Sequence, residues 1–167
     1  MAVTEESVRV WSKNEPERVA CRVFLSADQA DLTADAWNKV NFNDETYDWG
    51  QNFDNTTDYH FNVPVTGLYA VSANVTFVTA SVIADKSYSI GIFVSTVQKS
   101  QNSGQPSMTG LLTLSIYDEI YLTKDQYVDV EIFPTSAGAN TVDIDGDTSG
   151  LYTYCTIRLL SKEGVKQ

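Results

Sequence analysis

The stretch that decides the fold of this chain is NFDNTTDYHFNVPVTGLYAVSANVTF, residues 52–77. It begins as a polar, Asn-rich loop and ends in a segment where apolar and mostly polar positions alternate. The apolar positions of that segment are Tyr69, Val71, Ala73, Val75 and Phe77. Because successive side chains of a strand point to opposite sides of a sheet, this pattern predicts a strand with one buried face.

A tight corner precedes the predicted strand. Pro64 fixes its own φ and Gly67 can accept positive φ, so residues 64–67 are typical of a turn between two strands. Further alternating runs of strand length occur at 19–26, 88–97, 127–133 and 151–160. Together they predict about eight to ten strands, no long helix, and an all-β jelly roll of two antiparallel sheets.

Three polar stretches are predicted to connect strands rather than to form them. They are residues 43–57, 98–107 and 135–149, and all are rich in Asn, Asp, Gln, Ser, Thr or Gly. Residues 111–122 contain two strand-like pieces, which we expect to be separated near Tyr117 and Asp118.

The chain divides into an N-terminal arm at 1–18, a jelly-roll domain at 19–161 and a C-terminal tail at 162–167. A length of 167 residues with 43% hydrophobic and 11% aromatic residues fits one folded domain. The arm is polar apart from a few residues that include Trp11. Trp11 can anchor the arm to a neighbouring molecule, or the arm can be a terminal strand of its own domain, and the sequence leaves both open.

Charge and hydropathy exclude some functions. The net charge of −11 disfavours nucleic-acid binding, because contact with phosphates needs a basic surface. No apolar run approaches the ~20 residues of a membrane-spanning helix, so we expect no membrane insertion. Residues 1–18 carry four glutamates and no apolar core of a signal peptide, so classical secretion is not expected.

Aromatic residues and a glycine follow a fixed order in and before the decisive stretch: Phe42, Asp48, Phe53, Phe61, Gly67 and Tyr69. With the Asn52–Phe53–Asp54 loop and Pro64, this order resembles the globular-head family of complement first component, subcomponent q. Tumour necrosis factor has a fold similar to that of this family. The resemblance covers roughly residues 20 to 160.

The sequence also departs from that family. One extra residue separates Phe53 from Phe61, and Val71 and Ala73 stand where the family usually has aromatic residues. A Gly-Asp turn of the family is Asp125–Gln126 here, and its closing Phe-Ser-Gly is Tyr154–Cys155–Thr156. Gly-X-Y repeats are absent, although a collagen stalk is common in animal members. This favours a phage or bacterial member.

The resemblance implies a tumour necrosis factor-like jelly roll that assembles as a homotrimer. Outward-facing aromatic residues support an oligomer, because a monomer gains little from aromatic side chains on both faces of a sheet. Three such residues lie on the parity opposite to the apolar core positions: Phe93, Tyr127 and Phe133. In the resembling family, residues of this kind line the threefold axis, so these three are the predicted trimer interface.

No catalytic constellation is evident in the sequence. The chain has one histidine, His60, in a strand-like run, and no Gly-x-Ser-x-Gly or phosphate-binding loop. We therefore predict no enzymatic activity and interpret His60 as structural. Cys21 and Cys155 both lie on the apolar parity, and the resemblance makes their strands neighbours. Buried reduced thiols are favoured over a disulfide, because nothing indicates an oxidising compartment.

A candidate metal site lies in the loop after residue 142. Asp143, Asp145 and Asp147 alternate, and carboxylates on one side of a loop can converge on calcium. The spacing is not that of an EF-hand, although some members of the resembling family bind calcium near the trimer apex. The alternative is a solvated turn, and we expect no other cofactor.

These observations predict a trimeric virion structural protein from a bacteriophage, assembled in the host cytoplasm. It would be a capsid decoration, head-fibre or tail-tip attachment module, anchored to a capsid or tail by its N-terminal arm. The alternative is a bacterial surface or spore-coat adhesin that binds carbohydrate. A cell-surface glycan is a candidate partner in either case.

Overall fold

The computed structural model describes residues 18–135 and 141–162. Their regular structure is thirteen strands and one 3-10 turn, Thr79–Ser81. The strands are β1 Ala20–Phe24, β2 Gln29–Thr33, β3 Asn38–Lys39, β4 Asp44–Trp49, β5 Phe53–Asp54, β6 His60–Asn62, β7 Gly67–Phe77, β8 Tyr88–Val94, β9 Val97–Gly104, β10 Leu112–Leu122, β11 Tyr127–Pro134, β12 Thr141–Ile144 and β13 Tyr154–Lys162. No helix in these two ranges has the length and hydropathy to cross a membrane.

The strands form two sheets that pack face to face. The seven-stranded sheet has the order β2-β12-β7-β13-β1-β4, and β10 pairs with β7 along its whole length. The six-stranded sheet has the order β5-β6-β11-β8-β9, and β3 adds to β11. The pairings are antiparallel throughout. The predicted jelly roll of two antiparallel sheets is confirmed.

The decisive stretch becomes the centre of the seven-stranded sheet. The five apolar positions predicted for it lie on the inner side of β7 and are at most 2% exposed. Gly67 has a different role from the one predicted, because its φ is not positive. A Cβ atom there would lie 2.3 Å from the backbone oxygen of Ser161, so glycine is needed for the close approach of β13.

The three polar stretches that were predicted to connect strands themselves contain strands. Residues 98–107 contain most of β9, residues 43–57 contain β4 and β5, and residues 135–149 contain β12. β10 is one continuous strand rather than two pieces. β4, β5 and β9 lie at sheet edges, and β9 is exposed along most of its length. Backbone pairing holds such strands without the apolar alternation on which the prediction relied.

Candidate functional site

The outward surface of the seven-stranded sheet is the candidate site, and we call it the open face. Its strands present one side to the core and the other side outward. The outward residues that matter here are Tyr47 and Trp49 on β4, Arg22 on β1, Ser72 and Asn74 on β7, Ser115, Tyr117, Glu119 and Tyr121 on β10, and Tyr154 and Arg158 on β13.

Large apolar side chains are exposed on the open face. Tyr117 is 60% exposed, Tyr121 55% and Trp49 48%, although all three are held on paired strands. Tyr152, just before β13, is 44% exposed, and its carbonyl accepts a hydrogen bond from Thr76 of β7. The open face is therefore a rigid surface with aromatic groups in contact with solvent.

The centre of the open face is organised by polar contacts. The Arg22 guanidinium lies 4.5 Å from the centroid of the Tyr154 ring and donates to the carbonyl of Gly150 at 2.8 Å. Asn74 donates to the Tyr154 hydroxyl at 2.5 Å. Beside these residues lies an open groove of about 330 Å³, lined mainly by Ser72, Asn74, Ser115, Tyr117 and Tyr154. These contacts fix the side chains before any partner arrives.

One carboxylate on the open face accepts a hydrogen bond from an aromatic residue. The Tyr117 hydroxyl donates to Glu119 Oε1 at 2.7 Å. This hydrogen bond to the carboxylate is the main reason that the pKa of Tyr117 is raised. The positive charge of Arg158 acts in the opposite direction, with a smaller effect on that pKa.

The predicted interface residues lie elsewhere, on the outward face of the six-stranded sheet. Trp37 packs edge-on against Phe93 at 5.0 Å and against Phe133 at 5.5 Å between ring centroids. His60 stacks on Tyr127 at 4.7 Å. The chain's own side chains therefore account for these outward aromatic residues without a neighbour. Their contact with a second copy stays a prediction, and the structure does not bring them to the open face.

Sequence reasoning missed the side chains that cover this second face. Trp37 lies just before the two-residue strand β3, and its ring lies against Gly91. A Cβ atom at Gly91 would lie 3.1 Å from the Trp37 ring, so glycine leaves room for it. An isolated glycine in the β8 pattern was the available signal, because it often marks a close approach.

An ion pair between a half-buried lysine and a buried aspartate lies on the same face. Lys39 Nζ is 2.7 Å from Asp129 Oδ2 and donates to the backbone oxygen of Asp58 at 3.1 Å. Asp129 is buried, and its Oδ1 has no hydrogen-bond partner in the described structure. Burial, and then the charge of Asp129, raise the pKa of Glu131. The pair joins β3 to β11, and the sequence offered no signal for it.

The three aspartates of the predicted calcium site serve three separate local structures. Asp143 accepts a hydrogen bond from the Asp31 backbone at 2.9 Å. Asp147 accepts from the Leu151 backbone at 2.8 Å and from Ser149, and the Ser149 bond lowers its pKa. The pKa of Asp145 is raised by burial and then by the carboxylate of Asp28.

This arrangement does not resemble a metal centre. Within residues 18–135 and 141–162, no group of three or more His, Cys, Asp or Glu side chains is placed to hold a metal ion. Calcium binding by Asp143, Asp145 and Asp147 therefore stays a prediction. The contacts of Asp147 instead fit the alternative of a hydrogen-bonded turn.

The remaining reactive side chains are packed or buried. Cys21 and Cys155 are buried and unbridged, as predicted. They are diagonal neighbours, because Cys21 pairs with Ile157 and Cys155 pairs with Val23. Burial raises the pKa of Cys155 to about 12 and that of Cys21 well above its usual value. His60 Nε2 is 3.1 Å from the side-chain oxygen of Asn62.

The predicted anchoring arm, including Trp11, lies outside the described residues except for its last position. That position is Arg18, whose guanidinium lies 5.5 Å from the centroid of the Trp49 ring. The arm's first described residue is thus beside the open face.

Comparison with known proteins identifies the fold. The structure of Eiger TNF from S. frugiperda aligns with a TM-score of 0.66 at 9% identity, covering 91% of this chain and 98% of that chain. The globular domain of zebrafish complement 1qA protein aligns with a TM-score of 0.62 at 18% identity, covering 87% and 99%. Murine APRIL aligns with a TM-score of 0.60 at 12% identity, covering 86% and 99%.

These likenesses establish a tumour necrosis factor-like jelly roll, which is the fold that the sequence predicted. No protein-family model matches the sequence, and no curated protein matches it either.

Proposed function

We propose that this protein is a non-enzymatic homotrimer that acts by binding and buries its open face between copies. The observation that carries the proposal is the exposure of Trp49, Tyr117, Tyr121 and Tyr152 on one side of the molecule. Aromatic side chains held rigidly lose little entropy on contact, so they serve as anchors in protein interfaces. A monomer gains nothing from keeping them in water.

The size of the open face suits an interface between copies. Five strands spaced about 4.8 Å apart, each contributing about seven residues, give a surface of about 500 Å² in plan. Its accessible area is larger than its plan, and a standard interface buries about 800 Å² of each partner. The threefold arrangement is what the sequence resemblance implies, and the jelly-roll fold is compatible with it.

The non-enzymatic part of the proposal is supported by the state of the reactive groups. Both thiols are buried and have raised pKa values, so the nucleophilic thiolate is disfavoured. His60 stacks on Tyr127 and lies beside Asn62. None of these side chains is paired as a nucleophile and base would be.

The setting that we propose for the trimer is a virion, as a capsid decoration, head-fibre or tail-tip module. An acidic chain of net charge −11 suits contact with protein surfaces better than with packaged nucleic acid. Residues 1–18, with Trp11, are the segment proposed to anchor the trimer to a capsid or tail. A binding surface at the far end would then face a receptor or solvent.

Light scattering after size exclusion tests the trimer. We expect a mass near three chains, and dissociation of the double variant Tyr117→Ser, Tyr121→Ser at concentrations where the wild type stays assembled. The matched control is Val97→Ser, because Val97 is 54% exposed but lies on β9 of the other sheet. A wild-type monomer at micromolar concentration would remove the proposal.

The virion setting needs its own measurement. Mass spectrometry of density-purified particles from the producing cells should detect this chain at a constant ratio to the major capsid protein. Recovery only from a cell or spore surface would instead support the carbohydrate-binding adhesin.

A further inference from the structure

The open face is unusual in its charge as well as in its aromatic residues. The chain has four arginines, and Arg18, Arg22 and Arg158 all lie on or beside this face. The carboxylate facing outward from the middle of β10 is Glu119. A strongly acidic protein thus presents one surface with three arginines, whose outward carboxylates lie on edge strands: Glu119 on β10 and Asp44, which pairs with Phe24, on β4.

The three arginines differ in the contacts that their guanidinium groups make. Arg18 lies over Trp49, while Arg22 stacks on Tyr154 and donates to Thr46 and Gly150. Arg158 is exposed, and the one ion pair found in the described part of the chain is Lys39–Asp129. Within the described residues none of the three arginines forms an ion pair with a carboxylate, and Arg158 is the exposed one that lies on an inner strand of the sheet.

Arg158 and Glu119 lie in one row across the sheet. Arg158 pairs in register with Ala70, and Ala70 pairs with Glu119. Two strand spacings, about 9.6 Å, separate their backbones. Both side chains are exposed, and Ala70 between them is small. The two opposite charges thus point the same way without forming an ion pair.

We infer that Arg158 of one copy pairs with Glu119 of the next copy and so sets how the copies meet. This rests on the trimer proposed above. Covering the open face without a partner for Arg158 would bury an uncompensated charge, which is costly. Burying Glu119 without a cation would be costly for the same reason. Because Glu119 lies on β10 at the edge of the sheet, it can reach over the β13 strand of a neighbour.

The local geometry prepares Glu119 for a second partner. Its Oε1 accepts the Tyr117 hydroxyl, so Oε2 is available to a guanidinium. Guanidinium and carboxylate groups form directional hydrogen bonds that fix register as well as attraction. The aromatic residues supply contact area, and the charge pair decides the register in which β10 of one copy meets β13 of the next.

Charge reversal tests this inference with four samples. They are Arg158→Glu, Glu119→Arg, the double variant, and an equimolar mixture of the two single variants. Each single variant should dissociate at a concentration at least about tenfold higher than the wild type, because like charges then meet at the contact. The double variant should recover to within about threefold of the wild type.

The mixture separates a pair between copies from a pair within one chain. In a mixed trimer, two of the three contacts are complementary, so mixing should recover part of the lost association. Lys99→Glu and Asp58→Arg are matched controls, because both residues are exposed and lie away from the open face. Thermal melts should confirm that every variant is folded.

Each outcome separates this inference from the proposed trimer. A monomeric wild type would overturn both. A trimeric wild type with both single variants assembled as tightly would overturn only the Arg158–Glu119 pairing. Recovery in the double variant but none in the mixture would place the pair within one chain, and that also would overturn a contact between copies.

Discussion

The two outward faces of this sandwich both carry aromatic residues, but within the described residues those on the seven-stranded sheet are more exposed than those on the six-stranded sheet. On the six-stranded sheet, Trp37 covers Phe93 and Phe133, and His60 covers Tyr127. On the seven-stranded sheet Trp49 stacks on Tyr47 with ring centroids 4.9 Å apart, yet Trp49 is still 48% exposed, Tyr121 55% and Tyr117 60%. Outward parity therefore does not identify an interface by itself, because a connecting segment can cover the same residues.

The largest expected effect on stability comes from removing Trp37, whose ring covers the outward aromatic residues of the six-stranded sheet. Trp37→Ala removes two edge-on ring contacts and exposes Phe93 and Phe133, so it should lower the free energy of unfolding by about 3 kcal/mol. Chemical denaturation measures this loss. The matched control is Trp49→Ala on the open face, which should change the stability of one chain by less than about 1 kcal/mol. Equal losses would contradict the comparison.

The second effect concerns the ion pair that holds β3 on the covered face. Lys39→Met leaves Asp129 buried without a cation, which we expect to cost about 2 kcal/mol because Lys39 is partly solvated. The double variant Lys39→Met, Asp129→Leu should recover part of that loss, since no charge is then buried. A double variant less stable than Lys39→Met would show that the pair itself, and not its desolvation, supplies the stability.

The third effect is on association rather than folding. Trp49→Ala should raise the concentration at which the trimer dissociates by about tenfold, as expected for an aromatic anchor. Trp37→Ala should leave that concentration unchanged in the fraction that is folded. Sedimentation at a series of dilutions measures both, and a weaker trimer with Trp37→Ala would place the interface on the six-stranded sheet.

What the sequence could predict depended on which strands are half-buried. β7 was assigned correctly, because its inward residues are apolar and Ser72 and Asn74 face outward. β9 was not, because an edge strand exposed on both sides has no apolar parity to detect. Its backbone pairing with β8 is invisible in the sequence.

The open face was missed for a related reason. Asp118 lies on the inward parity of β10, between Tyr117 and Glu119, and so it looked like a break in the strand. In the structure Asp118 lies on the edge strand β10 and accepts a hydrogen bond from Ser100 of β9. Without that apparent break, Tyr117 and Tyr121 would have been recognised as outward residues of one long strand.

The smallest effect extends the comparison to two carboxylates in one loop, Asp145 and Asp147. Burial and Asp28 raise the pKa of Asp145 above its ordinary 3.8, so its ionised form is disfavoured in the fold. Stability from this group is present below pH 3.8 and is lost as pH rises through the raised pKa. Asp145→Asn should therefore raise the free energy of unfolding near pH 7 by less than about 1 kcal/mol, seen as a slightly higher melting temperature than that of the wild type.

Asp147 should behave in the opposite way, although it is only two residues distant. Its pKa is lowered, chiefly by Ser149, so its contribution is present above pH 3.8 and is lost as pH falls through the lowered value. Asp147→Asn should melt lower than the wild type at pH 7, and the difference should shrink in acid. The same melts with millimolar calcium test the predicted site, because a bound cation would raise the wild-type midpoint and Asp145→Asn would lose that rise. Two variants that shift in the same direction at pH 7 would mean that their surroundings do not distinguish these carboxylates.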